Sequence, residues 1–271
     1  RSSSSSGLPI RSCPERRRAC RARSRRCYTR PVILGVISDV HANVLALEAV
    51  LAALERDGAQ SVVCLGDLVG YGPSPNETIE LIREAGVICT LGAADERIAF
   101  DFARRKLPRR GVADETLEWT RTVIDPRNVQ YLRNLPVQHR VDTPAGRLRF
   151  FHGSPETPAE RLVFDQPGDD LGGLLDRYKC RLLAAGGTHV PYYRELPGGA
   201  LLNPGSVGLS LNGEPGADYA LVRIDGERLE VVMDKVEYDF GAVAFDIVAW
   251  GLPEVVAEAV QQGRMPGPFE G

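Results

Sequence analysis

The stretch Val32-Ile33-Leu34-Gly35-Val36-Ile37-Ser38-Asp39-Val40-His41 decides the fold. Its first six residues form an unbroken apolar run, strand-like in length, which reads as a buried strand. The next four turn polar and carry Asp-x-His. Val44, Leu47, Leu51 and Leu54 then recur at helical spacing until Asp57-Gly58 interrupts the pattern.

The same alternation repeats outward. Ser61–Leu65 reads as a second strand and ends on Gly66-Asp67; Pro75–Glu84 reads as a second helix with proline near its start, and Val87–Leu91 as a third strand. A β-α-β-α-β order implies parallel strands joined by right-handed crossovers. Asp39 and Asp67 therefore both fall just past strand carboxyl ends, where open α/β sheets place ligands.

Residues 95–135 look mostly helical, with Asp125 capping a helix whose first residue is Pro126. Val137–Val141 and Arg147–Phe151 read as strands around Pro144-Ala145-Gly146. Leu171–Lys179 reads as a helix and Leu182–Ala185 as a buried strand. Further strands are expected near 193–196, 200–203, 218–224 and 228–236, and helices over 240–250 and 254–262. The late antiparallel strands suggest a second sheet packed on the first. Val255, Val256, Ala259 and Val260 read as core packing.

Composition places the chain among ordinary globular proteins: 271 residues, 43% hydrophobic and 25% charged. No run approaches the roughly 18 apolar residues of a membrane span, so no membrane partner is expected. The net charge of −3 hides an asymmetry. Residues 1–30 hold ten Arg and one acid, Glu15, for +9, which leaves −12 on the remainder. An acidic body argues against a broad nucleic-acid-binding face and suits the gathering of divalent cations.

Residues 1–30 form a basic Ser- and Arg-rich tail, expected to be disordered and separate from a domain over 31–271. The tail is open to three readings: an arm for nucleic acid or an anionic surface, a transit-like peptide, or sequence outside the native protein. The last is preferred, because the chain opens on Arg1 rather than Met. Cys64 and Cys89 sit in strand-like runs as buried thiols, and Cys180 closes a helix. No CxxC pair occurs, which argues against a zinc ribbon, and the chain reads as cytosolic and reduced. Oligomeric state is left open.

Two further segments complete the polar set, Phe151-His152-Gly153 and Gly186-Gly187-Thr188-His189. A spaced Asp/His set of this kind suits hard and borderline divalent metals. In order and spacing the chain resembles the calcineurin-like metallophosphoesterases, whose pattern runs Asp-x-His, Gly-Asp, Gly-Asn-His-Asp (or Glu), a later His, and Gly-His-x-His. Gly66-Asp67-Leu68-Val69-Gly70-Tyr71-Gly72-Pro73, Asn76-Glu77, His152-Gly153-Ser154-Pro155 and Asn203-Pro204-Gly205-Ser206-Val207-Gly208 are similar to the bacterial phosphodiesterase branch. The resemblance covers about residues 31–265.

The resemblance implies a four-layer α/β/β/α sandwich. It also implies two metals about 3.5–4 Å apart, a bridging hydroxide that attacks phosphorus, and a His that protonates the leaving oxygen. Carried over, the first metal takes Asp39, His41, Asp67 and His189, with Asp67 bridging. The second takes Asp67, an Asn, His152 and the first His of Gly-His-x-His.

Three positions depart from that pattern. The Asn position is Ala93, the general-acid position is Ala94, and the first His of the last motif is Gly187. The expected metal ligands are therefore Asp39, His41, Asp67, His152 and His189, with one tight site, a second weak or empty one, and no catalytic residue assigned. Mn²⁺ is the first choice of metal, ahead of Mg²⁺, Fe²⁺, Zn²⁺ or Ni²⁺. The expected function is weakened hydrolysis of a phosphodiester or a small phosphorylated metabolite. The alternative is an inactive relative that binds metal and a phosphorylated ligand as sensor or scaffold.

Other residues admit plainer readings. Asp95 could substitute for the Asn ligand but reads first as a helix cap, as does Asn43. His139 reads as a strand-surface residue. Tyr71 either lines the substrate mouth or stiffens its turn. Asn203–Ser206 is a turn first and a phosphate cradle second.

Overall fold

Strand β1 (Val32–Ile37) runs parallel to β2 (Ser61–Cys64), with Leu34 opposite Ser61 and Ile37 opposite Cys64. Helix α1 (Val44–Arg56) makes the crossover between them. Asn43 caps α1, its Oδ1 accepting from the Ala46 N–H at 3.1 Å. Helix α2 (Pro75–Glu84) leads to β3 (Ile88–Cys89), shorter than the 87–91 expected but parallel to β2. The computed structural model describes residues 31–100 and 111–266, within one compact unit over Pro31–Gly271. The reading of residues 1–30 and part of the helical stretch at 101–110 lie outside the described residues.

Helices α3 (Ala93–Phe100), α4 (Val112–Val123) and α5 (Pro126–Arg133) follow. The hairpin β4 (Gln138–Thr143) and β5 (Gly146–Phe151) opens a second sheet. Helix α6 (Gly168–Tyr178) starts three residues earlier than its apolar spacing suggests, because Asp169 and Asp170 form a polar first turn. Strands β6 (Leu182–Ala185), β7 (Tyr192–Leu196) and β8 (Gly199–Asn203) complete that sheet in the order β4-β5-β6-β8-β7.

One expectation needs correction. The late strands β9 (Ala217–Asp225) and β10 (Arg228–Val236) do not extend the second sheet. They return to the first, giving the order β10-β9-β1-β2-β3, with β9 antiparallel to β1 and Leu34 opposite Val222. The reason lies in the β9 side chains. Ala220, Val222 and Ile224 join Leu34 and Val36 on the face turned toward the second sheet. Tyr219 and Leu221 join Ile37 in the helix-side core.

The two sheets pack through Val36, Val63, Phe150, Leu182, Leu202 and Val222, all essentially buried. On the outer face of the first sheet lie α1 to α5. On the outer face of the second, Leu171 and Leu175 of α6 pack beside Phe151 and Leu183. The result is the α/β/β/α sandwich. Helices α7 (Phe240–Ala249) and α8 (Glu254–Gln262) form a further cluster with Tyr71 and Leu209, and Val256, Ala259 and Val260 are core residues there. Among the described residues no helix is long and apolar enough to cross a membrane.

Candidate metal centre

The strand ends of both sheets converge. Asp39 follows β1, Asp67 follows β2, His152 follows β5 and His189 follows β6. Backbone hydrogen bonds stitch these loops together: Asp39 N–H donates to Gly66 O at 3.0 Å, His41 N–H to Asp67 O at 2.9 Å, and Gly208 N–H to Asp39 O at 3.0 Å. Asp39, His41, Asp67, Tyr71 and His189 all have positive φ, between 46° and 60°. Left-handed backbone is costly for residues with a Cβ, and its concentration in one site marks a geometry imposed by the surrounding loops.

Each carboxylate divides its work. Asp39 Oδ2 accepts the Gly187 N–H at 3.0 Å, and Asp67 Oδ1 accepts the Ala94 N–H at 2.8 Å. The other oxygens face the histidines. Asp39 Oδ1 lies 3.3 Å from His189 Nε2, 3.7 Å from His41 Nε2 and 4.0 Å from His152 Nε2. Asp67 Oδ2 lies 3.2 Å from His152 Nε2 and 3.8 Å from His41 Nε2. Two triads result, Asp39-His41-His189 and Asp39-Asp67-His152, each with donor atoms within 4.8 Å of one another. The five residues expected from sequence are thus brought together, with Asp39 rather than Asp67 common to both groups.

The ring orientations fit a cation. His41 Nδ1 meets Val69 O at 3.0 Å and His189 Nδ1 meets Leu209 O at 2.8 Å. A carbonyl can only accept, so Nδ1 of each ring carries a proton and Nε2 is the atom turned inward. Those two Nε2 atoms are 3.0 Å apart. Asp39 Oδ1, fully buried, finds no hydrogen-bond donor among the described residues. Lone pairs and a buried carboxylate oxygen aimed at one point repel unless positive charge stands among them. The mixed N/O donor set fits a divalent metal.

Electrostatics agree. Burial opposes charge on Asp39, but His189, His152 and His41 hold its carboxyl well below the usual carboxylate range. Asp67 is likewise lowered, against burial, chiefly by His152. Burial, reinforced by His189, pulls His41 down to about 4. Burial also pulls on His152, yet Asp67 outweighs it and the ring rises to about 9.

The departures from the ligand pattern are real gaps in the site. Ala93 and Gly187 line the cleft without a side-chain donor atom, and Ala94 and Gly187 each contribute an N–H. Asp95 does not substitute for the missing ligand. Its Oδ1 accepts from Leu68 N–H at 2.9 Å and Val69 N–H at 3.3 Å, and its Oδ2 from Gly92 N–H at 3.1 Å. It clasps the Asp67 loop to the start of α3. The bond to Gly92 is the reach-back half of a capping box, which puts Asp95 at the third residue of α3 and not at the N-cap expected from sequence.

The cleft over the site has a volume of about 200 Å³. Tyr71 lines it, edge-on to His41 with ring centroids 4.8 Å apart. Burial and Asp67 push its phenol up, so it stays protonated at neutral pH. Arg97 and Arg161 also line the cleft, and sequence reasoning missed both. No periodic signal marks them: Arg161 lies in an irregular loop. Asn203 proves structural, its Nδ2 donating to Gly186 O at 3.1 Å and its Oδ1 accepting from Gly205 N–H at 2.9 Å. His139 sits on β4 against the Phe150 ring, away from the site.

Residues 32–227 match the calcineurin-like phosphoesterase superfamily domain. An uncharacterised protein of Methanocaldococcus jannaschii is 31% identical over 248 aligned residues, covering 86% of this chain and 98% of the relative. The crystal structure of a metallophosphoesterase from Sphaerobacter thermophilus is similar, with TM-score 0.72 and 29% identity over 86% of this chain and 99% of that one. A hypothetical protein of Pyrococcus horikoshii gives TM-score 0.76 and 26% identity at the same coverages.

Proposed function

The chain belongs to the calcineurin-like phosphoesterase superfamily, and from that premise we propose that it hydrolyses phosphoesters with a divalent cation held by Asp39, His41 and His189. One observation carries the proposal: Asp39 Oδ1, fully buried, lies within 4.0 Å of the Nε2 atoms of three histidines. A bound cation supplies Lewis acidity and positive charge toward the phosphoryl oxygens. Mn²⁺ suits the mixed imidazole and carboxylate donors and accepts water in remaining positions; Mg²⁺, Fe²⁺, Zn²⁺ and Ni²⁺ compete for the same set.

The chain's own residues set the orientation. Gly187 N–H and Ala94 N–H fix the two carboxylates, while the Val69 and Leu209 carbonyls fix two rings. Asp67 and His152 remain for a second, weaker cation. Ala94 gives the leaving oxygen no proton, a loss of about 10²–10⁴-fold for a poor leaving group. The substrate is a phosphodiester or a small phosphorylated metabolite. Three free buried thiols, Cys64, Cys89 and Cys180, favour a reducing, cytosolic setting.

Ala93, Ala94 and Gly187, which carry no side-chain donor, favour a second reading, a metal and phosphate binder without turnover. Mn²⁺-dependent hydrolysis of bis-p-nitrophenyl phosphate separates the two, with Asp67→Asn as the blank. Saturable activity above the blank supports the hydrolase; activity equal to the blank at high Mn²⁺ removes that reading for diesters.

A further inference from the structure

We propose that Arg161 takes over the phosphate-holding role of a fully held second cation, its guanidinium gripping the non-bridging oxygens of a terminal phosphoryl group and so favouring phosphomonoester dianions. The inference rests on the phosphoesterase reading and adds a residue and a substrate class to it.

The backbone aims Arg161 at the weakened half of the site. The loop after His152 folds straight back over Gly153, so closely that a Cβ there would lie 2.4 Å from Pro158 O and 2.3 Å from Glu160 O. Only glycine permits that return. Ser154 fixes the turn, its Oγ accepting from the N–H groups of Glu156 and Thr157 at 3.1 and 3.3 Å. Beyond Arg161, Leu162 is buried and its carbonyl accepts from the Tyr192 hydroxyl at 2.6 Å. Arg161 is therefore held between two anchors, and its side chain lines the cleft.

Gly187 keeps the approach clear. A Cβ at that position would stand 3.5 Å from His152 Nε2 and 3.8 Å from Arg161 Cγ. The family's histidine would project into the space between them. With glycine there, the Arg161 stem and His152 border the same opening. Arg161 and Arg97 line the same cleft as His41, Asp67, His152 and His189. The arginines thus act on the same volume as the metal ligands.

The chemistry follows from geometry and charge. Guanidinium presents a planar fork of N–H donors that matches two phosphoryl oxygens, and its charge is fixed across the working pH range. Coulomb attraction to a dianion is twice that to a monoanion at equal distance. A cation on the Asp39 side and an arginine on the His152 side would therefore favour a terminal phosphoryl group over a diester.

The test uses calorimetry on the full chain with Mn²⁺, titrating inorganic phosphate and, separately, dimethyl phosphate as a monoanionic diester. Wild type should bind phosphate more tightly than dimethyl phosphate. Arg161→Gln should weaken phosphate at least about tenfold, the usual worth of a charge-assisted contact, with Mn²⁺ affinity unchanged. Arg161→Lys keeps the charge without the fork and should lose less. If Arg161→Gln also loses Mn²⁺ binding, the lysine variant alone decides: phosphate affinity below wild type with Mn²⁺ affinity kept supports the assignment. Phosphate affinity unchanged in both variants, or no phosphate binding by wild type, overturns it. Binding is read without turnover, so an inert protein whose phosphate affinity depends on Arg161 would fail as a hydrolase and still support this assignment.

Discussion

His41 Nε2 and His189 Nε2 face each other at 3.0 Å, from loops 148 residues apart in sequence. Both rings are turned inward by a backbone carbonyl on Nδ1. Opposed imidazole lone pairs at that distance are unfavourable by themselves and become an asset when a cation shares them. Asp39 Oδ1 lies within reach of both rings and of His152.

Replacing Asp39 tests that arrangement. Asp39→Asn keeps an acceptor for the Gly187 N–H while removing the charge from the centre of the three rings. Mn²⁺ affinity should fall by more than the roughly 10–100-fold that loss of an outer-shell partner costs. Isothermal titration reads the effect, and an affinity within about threefold of wild type would place the metal elsewhere.

The ion pair of His152 with Asp67 predicts an alkaline instability when chelator is present. The His152 ring has a folded pKa of about 9 against 6.5 unfolded. The folded state then binds the proton more tightly, so this contribution is full below pH 6.5 and lost as pH rises through 9. Melting in EDTA should drop by on the order of 5 °C across that window. Asp67→Asn should flatten the drop; an equal drop in the variant would assign it to another group.

Asp95 predicts a stability effect distinct from metal binding. It satisfies three buried backbone N–H groups, so Asp95→Ala should cost about 2–4 kcal/mol in denaturant unfolding. A cost below about 0.5 kcal/mol would mean the clasp is dispensable.

The gaps at 93 and 187 can be refilled. Ala93→Asn with Gly187→His returns two donors; the φ of 76° at 187 strains any side chain, and histidine is one of the residues less rarely found at positive φ. A second equivalent of Mn²⁺ should appear, with diester hydrolysis rising about 10-fold or more. Unchanged stoichiometry would show that the missing side chains are not what limits the second site.

Much of this was legible before any coordinates. The run Val32–Ile37 and the spacing of Leu47, Leu51 and Leu54 set the β-α-β start, because short-range periodicity is a local property of sequence. The five metal-ligand candidates stood in motif order. The partner of β9 was not legible: antiparallel pairing with β1, nearly 190 residues away, depends on which faces Ala220 and Tyr219 bury. Arg161 left no trace either, since its position depends on a loop closing over Gly153. Asp95 looked like a cap because one of its oxygens is one; the other reaches a loop 27 residues back.

The central claim is that the Asp39-centred site holds a divalent cation. Titrating Mn²⁺ into the EDTA-stripped, exchanged 271-residue chain tests it. The account predicts a single tight equivalent that vanishes in Asp39→Asn and a weaker one, or none, beyond it. No saturable binding by wild type, or equal binding by Asp39→Asn, would contradict it.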